Sequence, residues 1–234
     1  LKTSKSDKKD VYFMDALIGL FNENGVAMGN PWQHKIQYKK QYLELDTLFG
    51  EGTAFEGAYH FFVSGDLSPE TRNNIRVVVE RPDMWSVSVN GHPVEAISGE
   101  YWIEKSFPLY KAGEYIRQGK NTITITAPRM HILAELMPVY LLGDFSVVPG
   151  SAGWEIKGGQ EIPTGSWSQA GMPFYPGKVS YSQAYTAGNA VDASYKVRLT
   201  SWKGSVATVS VNGKYAGIIA WQPYEIDVSD LIVP

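Results

Sequence analysis

Acidic side chains are the first residues to consider for chemistry, because the chain holds 24 Asp and Glu residues and no cysteine. Hydrolysis of a glycosidic bond, for example, needs two carboxyl groups roughly 5–10 Å apart on either side of a cleft. The candidate acids are Glu56, Asp66, Glu100, Glu104, Asp144, Glu155, Glu161 and Asp227. None of them lies in a motif and no spacing pairs them, so the sequence predicts surface acids and no catalytic residue.

The histidines show no metal-binding pattern. His34, His60, His92 and His131 are scattered along the chain, whereas zinc ligands recur at short, fixed spacings. The sequence also lacks the Gly-x-Ser-x-Gly, phosphate-loop and dinucleotide-binding motifs. Without cysteine there are no disulfides, no thiolate catalysis and no cysteine-ligated metals. We therefore predict no cofactor-binding residue and no metal ligand.

Aromatic side chains are more informative candidates, because a flat ring can stack on a pyranose while nearby polar groups bond its hydroxyls. Trp167 lies in a polar segment flanked by glycines, and Trp202 begins a Trp-Lys-Gly turn. Trp154, Tyr175 and Trp221 also fall near predicted turns or strand ends. We predict that Trp167, Trp202, Trp221 and Tyr175 bind carbohydrate. The alternative is that these rings pack in the core or between domains.

Composition excludes several classes of protein. Of 234 residues, 44% are hydrophobic and 19% are charged, which is typical of a globular chain. The net charge of −3 gives no positive field that would attract nucleic acid. No apolar run of about 18 residues occurs, so no membrane span is predicted. The aromatic share of 13%, with 23 Gly and 13 Pro, indicates many short strands joined by tight turns.

Alternation of apolar and polar residues predicts strands along most of the chain. Asn90-Gly91 and Asn212-Gly213 are the strongest hairpin signals, because both residue types tolerate the positive φ of a type I′ turn. Val11–Phe21 is apolar almost all round and follows Asp10, a candidate N-cap, so a short helix and a strand both remain open. The predicted strands cover residues 36–45, 59–63, 75–79, 87–89, 101–107, 122–127, 139–148, 154–156, 179–185, 195–199, 207–211 and 221–228.

The two halves of the chain share a layout. Val87–Gly91 aligns with Val209–Gly213, and in each half this motif follows a β-branched strand and precedes a Pro-containing strand. Repetition over successive elements indicates a structural repeat. The first half then continues into the strand at 122–127, whereas the second half stops at the corresponding point. We expect the last strand of the second domain to be missing, and the chain to be a piece of a longer protein.

The segment Pro149-Gly-Ser-Ala-Gly153 predicts a domain boundary, because five small or rigid residues cannot pack a core. The predicted domains are therefore residues 1–149 and residues 150–234. The predicted fold class is all-β, with two tandem antiparallel β-sandwiches of jelly-roll type. Near the N-terminus, the apolar run at residues 11–21 forms either a short helix or a strand.

The second half resembles the galactose-binding-like β-sandwich that accompanies many large glycoside hydrolases. The residues that carry the resemblance are Pro173–Gly177 with Tyr181, Val209–Gly213, and Trp221–Tyr224 with Ile226–Val228. The first half looks like a diverged sandwich of the same type, with Pro138–Phe145 as its closing strand. Together they are similar to the C-terminal region of α-L-rhamnosidase-like enzymes (glycoside hydrolase family 106) and to sandwich modules of family 2 enzymes.

In those families the catalytic carboxylates sit on a separate (β/α)₈ barrel, and no eightfold βα pattern occurs in this chain. The resemblance implies a non-catalytic accessory region, secreted or periplasmic, that packs on or shapes the cleft of a catalytic domain of the same polypeptide. The alternative is a carbohydrate-binding module acting through exposed aromatics. A third possibility, an enzyme in its own right, would require two carboxylates that face each other in a pocket.

Sandwich modules of this kind often carry a structural calcium ion. Asp66, Asp83, Asp192 and Asp230 could offer oxygen ligands, but no EF-hand-like spacing supports any of them. The sequence therefore gives no support for calcium, and no cofactor is expected.

Overall fold

The computed structural model describes residues 1–25, 49–131, 133–134, 136–151, 153–188 and 193–233. The chain forms two compact units, Leu1–Pro176 and Gly177–Pro234. The division lies after Pro176 and not at the predicted boundary, because residues 149–153 join two paired strands of the first unit. Gly150 and Gly153 pair with each other at the end of this hairpin, so the small residues permit a tight turn. The predicted strand at 36–45 lies outside the described residues.

The first unit holds most of the regular structure. Its helices are α1 (Phe13–Glu23) and α2 (Pro69–Asn74), and a 3₁₀ helix covers Gly113–Tyr115. Its strands are β1 (Lys2–Thr3), β2 (Phe55–Val63), β3 (Arg76–Val78), β4 (Ser86–Val89), β5 (His92–Val94), β6 (Ala96–Tyr101), β7 (Pro108–Lys111), β8 (Gly119–Ala127), β9 (Tyr140–Leu142), β10 (Phe145–Gly150) and β11 (Gly153–Gly158).

These strands form two sheets whose pairings are antiparallel except between β11 and β2. One sheet has the order β10-β11-β2-β8-β4-β5, with β1 also paired to β2, and the other has the order β6-β7-β3-β9. Val89, Ile123 and Ile125 of the first sheet share one buried cluster with Val77 and Tyr110 of the second. The first unit is therefore a β-sandwich whose core lies between its two sheets.

Strand β8 shows how the sequence pattern places the core. Ile123, Ile125 and Ala127 are buried, whereas the threonines between them are not. Successive residues of a strand point to opposite faces, so the Thr-Ile alternation puts one apolar row inside the sandwich. The predicted strand at 122–127 is confirmed and begins three residues earlier, at Gly119.

The apolar run near the N-terminus forms helix α1 and not a strand. Leu17, Leu20 and Phe21 are buried, and their spacing of three and four residues places them on one helical face. The helix begins after Tyr12, which provides no side-chain cap, so the expected cap at Asp10 is wrong. No helix in the described part of the chain is long and apolar enough to cross a membrane.

Two predicted strands are interrupted in the structure. The segment predicted as a strand at 101–107 is mostly the turn between β6 and β7, closed by bonds from Trp102 N to Phe107 O and from Phe107 N to Glu104 O. The predicted strand at 139–148 divides into β9 and β10, which belong to different sheets. In the second case an apolar run passes from one layer of the sandwich to the other, and both parts remain apolar because both face a core.

The second unit consists of two antiparallel strand pairs. Its strands are β12 (Lys196–Arg198), β13 (Ala207–Val211), β14 (Lys214–Ile219) and β15 (Glu225–Asp227), followed by a 3₁₀ helix at Ser229–Leu231. Strand β12 pairs with β15, and β13 pairs with β14. Val209, Ile219 and Val228 form its buried centre. The predicted strand at 179–185 has no regular structure. The all-β class with a short helix is confirmed.

The internal repeat is visible in the backbone of both units. Asn90 and Asn212 have the same φ of 50°, and each precedes a glycine of positive φ, as a type I′ turn requires. Each asparagine donates from Nδ2 to a carbonyl at the end of a 3₁₀ helix, at 2.7 Å to Tyr115 and at 3.1 Å to Leu231. The antiparallel pairing of β3 with β7 recurs as that of β12 with β15.

Candidate functional site

The segment that carries Trp167 and Tyr175 is held against β10, the outer strand of the larger sheet in the first unit. The amide of Val147 in β10 donates to the carbonyl of Gly171 at 2.7 Å. A Cβ at Gly171 would stand 2.7 Å from the Cβ of Ser146, and its φ is 89°. Glycine is therefore required for this close approach, and the approach fixes the loop on the sheet.

Three exposed aromatic residues, Trp154, Phe174 and Tyr175, form what we term the aromatic patch. The rings of Trp154 and Phe174 are in contact, with centroids 5.1 Å apart and planes at 82°. Trp154 is 48% exposed, Phe174 65% and Tyr175, the next residue in the chain, 47%. Large apolar side chains on strands usually face the core, so this exposure marks a contact surface.

The patch stands on a rigid base. Trp154 lies in β11 opposite Pro149 of β10, and β11 also pairs with β2 through Glu155 and Ile156. The backbone of β11 is hydrogen-bonded on both sides. The strand that carries Trp154 is therefore already ordered before a ligand binds, which lowers the entropic cost of binding. An edge-to-face ring pair leaves an open face on each ring, which is the geometry that stacks on a sugar.

Trp167 is less accessible than the sequence predicts. Its carbonyl accepts a hydrogen bond from the amide of Met172 at 2.9 Å, and Ala170 N donates to Ser166 O at 3.0 Å. These bonds turn the predicted flexible loop into a compact turn, in which the side chain of Trp167 is half-buried. Of the residues predicted in this unit, Tyr175 therefore contributes more to the exposed surface.

Trp202 and Trp221 lie in the second unit and differ in exposure. A Cβ added to Gly204 would stand 2.4 Å from Cζ2 and Cη2 of Trp202, so the indole folds back over its own turn. Its Nε1 is buried and has no hydrogen-bond partner among the described residues. Trp221, just after β14, is 72% exposed. Trp221 thus presents its ring to solvent, whereas Trp202 presents little more than an edge.

Phe174 was not among the sequence candidates, and Trp154, although considered, was not one of the four residues predicted to bind carbohydrate. A phenylalanine offers no hydrogen-bonding group, and the run Pro173-Phe-Tyr-Pro176 supported only a family resemblance. The usable signal was the pair of flanking prolines, because proline disfavours the interior of a sheet, and Pro173 and Phe174 lie in a turn closed by the bond from Tyr175 N to Met172 O. An aromatic residue held in that way has few routes to a core.

Two acids of the second unit, Glu225 and Asp227, accept hydrogen bonds from residues of the same unit. Glu225 accepts hydrogen bonds from Lys196 Nζ at 3.0 Å and from Arg198 Nε at 2.8 Å. These bonds lower the pKa of the Glu225 carboxyl. The hydroxyl and amide of Ser229 likewise lower the pKa of Asp227. Glu225 therefore stabilises the pairing of β12 with β15, Asp227 binds the start of the following 3₁₀ helix, and neither acid is poised to donate a proton.

Two carboxylates of the first unit, Glu80 and Glu104, interact electrostatically. Burial raises the pKa of Glu80, and the negative charge of Glu104 raises it further. Glu80 follows β3, and Glu104, whose carboxylate accepts from Ser106 Oγ at 2.7 Å, lies in the exposed turn between β6 and β7. A raised pKa beside a second carboxylate is typical of acid catalysts. Here the exposed position of Glu104 leaves that pair without the enclosure of an active site.

A cleft of the first unit has a volume of about 380 Å³. Its charged groups are paired within or beside it. Arg81 binds Asp83 at 2.8 Å and thereby lowers the pKa of that carboxyl, and Arg129 lies 3.8 Å from Glu51. The lining residues are Glu51, Gly52, Asp83, Met84, Pro128, Arg129 and His131. The charges of these ion pairs are engaged with one another, and the lining contains no tryptophan, tyrosine or phenylalanine ring.

No group of three or more His, Asp or Glu side chains in the described ranges could hold a metal ion. Three of the acids considered for calcium, Asp66, Asp83 and Asp230, lie among those residues, and Asp192 lies outside them. Asp83 is already bound to Arg81.

Comparison of the chain with models of protein families, with curated proteins and with solved structures gave no match.

Proposed function

We propose that this chain is a non-catalytic accessory region of a large glycoside hydrolase, secreted or periplasmic, which packs on or shapes the cleft of a catalytic domain outside the chain. The observation that carries the proposal is the repetition of one β-substructure in two successive units. Asn90 and Asn212 sit in the same turn and bind the same kind of 3₁₀ helix end. Tandem sandwich modules of this type accompany catalytic domains in the enzymes that the sequence resembles.

The distribution of acidic groups supports a non-catalytic role. Glu225 holds β15 to β12, and Asp227 accepts hydrogen bonds from Ser229 just after β15. Of the electrostatically coupled acids, Glu80 follows β3 and Glu104 lies in an exposed turn, where water would compete with a substrate for its carboxyl.

A panel of chromogenic aryl glycosides tests this role directly. We expect the purified chain to release no chromophore above the rate in buffer. Release that disappears in the Glu80→Gln and Glu104→Gln variants, but persists in Glu100→Gln, would overturn the proposal and identify an enzyme. Glu100 is a suitable control because it is an exposed glutamate of β6 in the same unit.

The aromatic patch favours a second function, carbohydrate binding. The rings of Trp154 and Phe174 are exposed and in mutual contact, and Trp154 lies on β11, a strand that pairs with β10 and β2. Stacking on such rings is the main way in which proteins hold the apolar face of a pyranose. We infer that the ligand is a polysaccharide chain and that Tyr175 extends the contact.

Affinity electrophoresis in gels that contain plant polysaccharides measures this binding. We expect retardation of the wild-type chain and less retardation of Trp154→Ala and Phe174→Ala. Tyr185→Ala is the matched control, because Tyr185 is 84% exposed and lies in the other unit. Tyr175→Ala, Trp167→Ala, Trp202→Ala and Trp221→Ala report on the four residues predicted from the sequence. Equal mobility of the wild type with and without every polysaccharide would rule out this function.

A further inference from the structure

The two contacting rings of the aromatic patch are nearly perpendicular, and this angle limits what can lie on both of them. The planes of Trp154 and Phe174 meet at 82°, with the ring centroids 5.1 Å apart. A pyranose that stacks on an aromatic ring lies roughly parallel to that ring. Two pyranoses, one on each ring, would therefore have mean planes that are almost perpendicular to each other.

Two backbone anchors hold the rings at this angle. Trp154 lies in β11, which pairs with β10 and with β2. Phe174 lies in a turn that follows Gly171, and the carbonyl of Gly171 accepts from Val147 N of β10 at 2.7 Å. Both ring-bearing segments are therefore attached to β10. Since the backbone at both rings is ordered before binding, a ligand gains most when its own shape matches their arrangement.

The neighbours of the two rings carry no charge on the side of the rings. Pro149 stands opposite Trp154 in the pairing of β10 with β11, and Pro173 precedes Phe174 in the chain. Glu155 follows Trp154, but successive residues of a strand point to opposite faces, so its carboxylate lies on the other face of β11. These neighbours fit a neutral glycan and offer no partner to an acidic one.

Glycan chains differ in the angle between successive rings. In a β-1,4-linked glucan the rings lie nearly in one plane and form a flat ribbon. In β-1,3- and α-1,4-linked glucans the linkage turns each ring relative to the one before, and the chain coils. A ribbon can place a sugar on Trp154 or on Phe174, whereas a coiled chain can place sugars on both rings at once.

We propose that the aromatic patch selects neutral glycan chains that coil, in which successive pyranose rings are turned out of a common plane, over chains that form flat ribbons. One sugar stacks on Trp154 and a neighbouring sugar stacks on Phe174. The selectivity is a difference of affinities and equals the contribution of the second stacked ring. This inference rests on the carbohydrate-binding function proposed above and specifies the shape of its ligand.

The test compares three glucose hexasaccharides of equal length that differ in linkage alone: laminarihexaose (β-1,3), maltohexaose (α-1,4) and cellohexaose (β-1,4). Glucose is a suitable sugar because its ring hydroxyls are equatorial, so both of its faces present C–H groups. Isothermal titration calorimetry with the full chain measures each affinity. We expect the tighter-binding coiled hexaose to bind about fivefold more tightly than cellohexaose, because one stacked ring contributes about 1 kcal/mol.

Phe174→Leu removes one stacking face and keeps an apolar side chain next to Trp154. We expect this variant to bind the coiled hexaose about fivefold more weakly and to bind cellohexaose within about twofold of the wild type, because a ribbon still stacks on Trp154. The selectivity should therefore disappear. Tyr12→Ala is the matched control, because Tyr12 is an exposed aromatic residue of the same unit whose ring contacts Phe13.

Nuclear magnetic resonance of the wild type locates the site without relying on the affinity of any variant. The indole N–H signal that is missing from Trp154→Phe is assigned to Trp154. The coiled hexaose should shift this signal in the wild type. A shift confined to other indole signals would place the sugar elsewhere and would contradict the proposal.

The outcomes separate this inference from the function on which it rests. Cellohexaose that binds as tightly as the better coiled hexaose, or a Phe174→Leu variant with unchanged selectivity, would overturn the preference for coiled chains and leave carbohydrate binding in place. The same holds if no hexaose binds while a polysaccharide retards the chain in affinity electrophoresis. If neither hexaoses nor polysaccharides bind, both the inference and the carbohydrate-binding function are wrong.

Discussion

The carboxamide of Asn90 donates a hydrogen bond to Oδ1 of Asn121 at 2.8 Å. Asn121 is 0% exposed, and its side chain makes three further bonds, from Arg117 N and to the carbonyls of Arg117 and Gly119. A buried amide with every donor and most acceptor capacity satisfied specifies one local geometry. This pair therefore fixes where β8 begins relative to the turn after β4.

Asn121→Ala should destabilise the first unit by about 1–3 kcal/mol, because it removes the four hydrogen bonds that this buried side chain makes with Asn90 and with the backbone of Arg117 and Gly119. Urea denaturation monitored by circular dichroism measures the change in the free energy of unfolding. The control is Asn73→Ala at an exposed position of α2, which should change stability by less than about 0.5 kcal/mol. Equal effects of the two substitutions would show that the Asn121 network contributes nothing.

Two glycines of the first unit should respond to alanine with opposite signs. At Gly113 a Cβ would stand 1.8 Å from the carbonyl oxygen of Arg72, a backbone atom that cannot move aside cheaply. Gly113→Ala should therefore cost about 3 kcal/mol or more. At Gly19 in α1 a Cβ meets nothing within 4 Å, and Gly19→Ala should stabilise by about 0.5–1 kcal/mol. Thermal unfolding of both variants measures these changes in stability. Changes of the same sign would contradict this packing.

Alkaline stability should depend on two tyrosines. Burial raises the pKa of Tyr59, whose hydroxyl donates to Met137 O at 2.9 Å, to about 12, and burial raises that of Tyr110 to about 12 as well. An unfolded tyrosine ionises near pH 10. The stabilisation is therefore complete below about pH 10 and is lost as the pH rises towards 12.

Ultraviolet titration of tyrosinate measures this effect. We expect a late ionisation phase that loses amplitude in Tyr59→Phe and again in Tyr110→Phe. The same titration in concentrated urea is the control, because unfolding should remove the late phase. A late phase of full amplitude in both variants would contradict the burial of these hydroxyls.

The second unit should weaken in acid through Glu225. Its pKa is lowered by Lys196 and Arg198, so its stabilising effect is present above the unfolded value of about 4.3 and is lost as the pH falls through the lower folded value. The amide signals of β12 and β15 in nuclear magnetic resonance spectra should therefore change below about pH 4. Glu225→Gln should flatten this dependence, whereas Glu100→Gln in the first unit should not.

Local patterns were sufficient to predict the repeated substructure. Asn-Gly is one of the few dipeptides that accept positive φ at both positions, so Asn90-Gly91 and Asn212-Gly213 could form few turns other than those observed. The Thr-Ile alternation of β8 likewise allows one strand with one buried face. These features depend on a residue and its immediate neighbours, and their interpretation from sequence is confirmed.

Features that depend on distant partners were predicted less well. The segment 149–153 resembles a linker in composition, yet it joins the paired strands β10 and β11. Strand β11 also pairs with β2, almost a hundred residues earlier in the chain, and this pairing holds the hairpin in the sheet of the first unit. The run at 139–148 resembles one strand, yet β3 takes one part and β11 takes the other. The composition of a segment does not determine which strand it pairs with.

The candidate site shows the same division. The sequence by itself determined that aromatic residues are abundant, that cysteine is absent and that hairpins repeat. Only the tertiary structure decided which rings reach solvent, since the contact of Trp154 with Phe174 and the folding of Trp202 over Gly204 join residues through space and through backbone curvature. The physical reason is that a residue's type fixes what its side chain can bind, whereas exposure is set by whatever the rest of the chain packs against it.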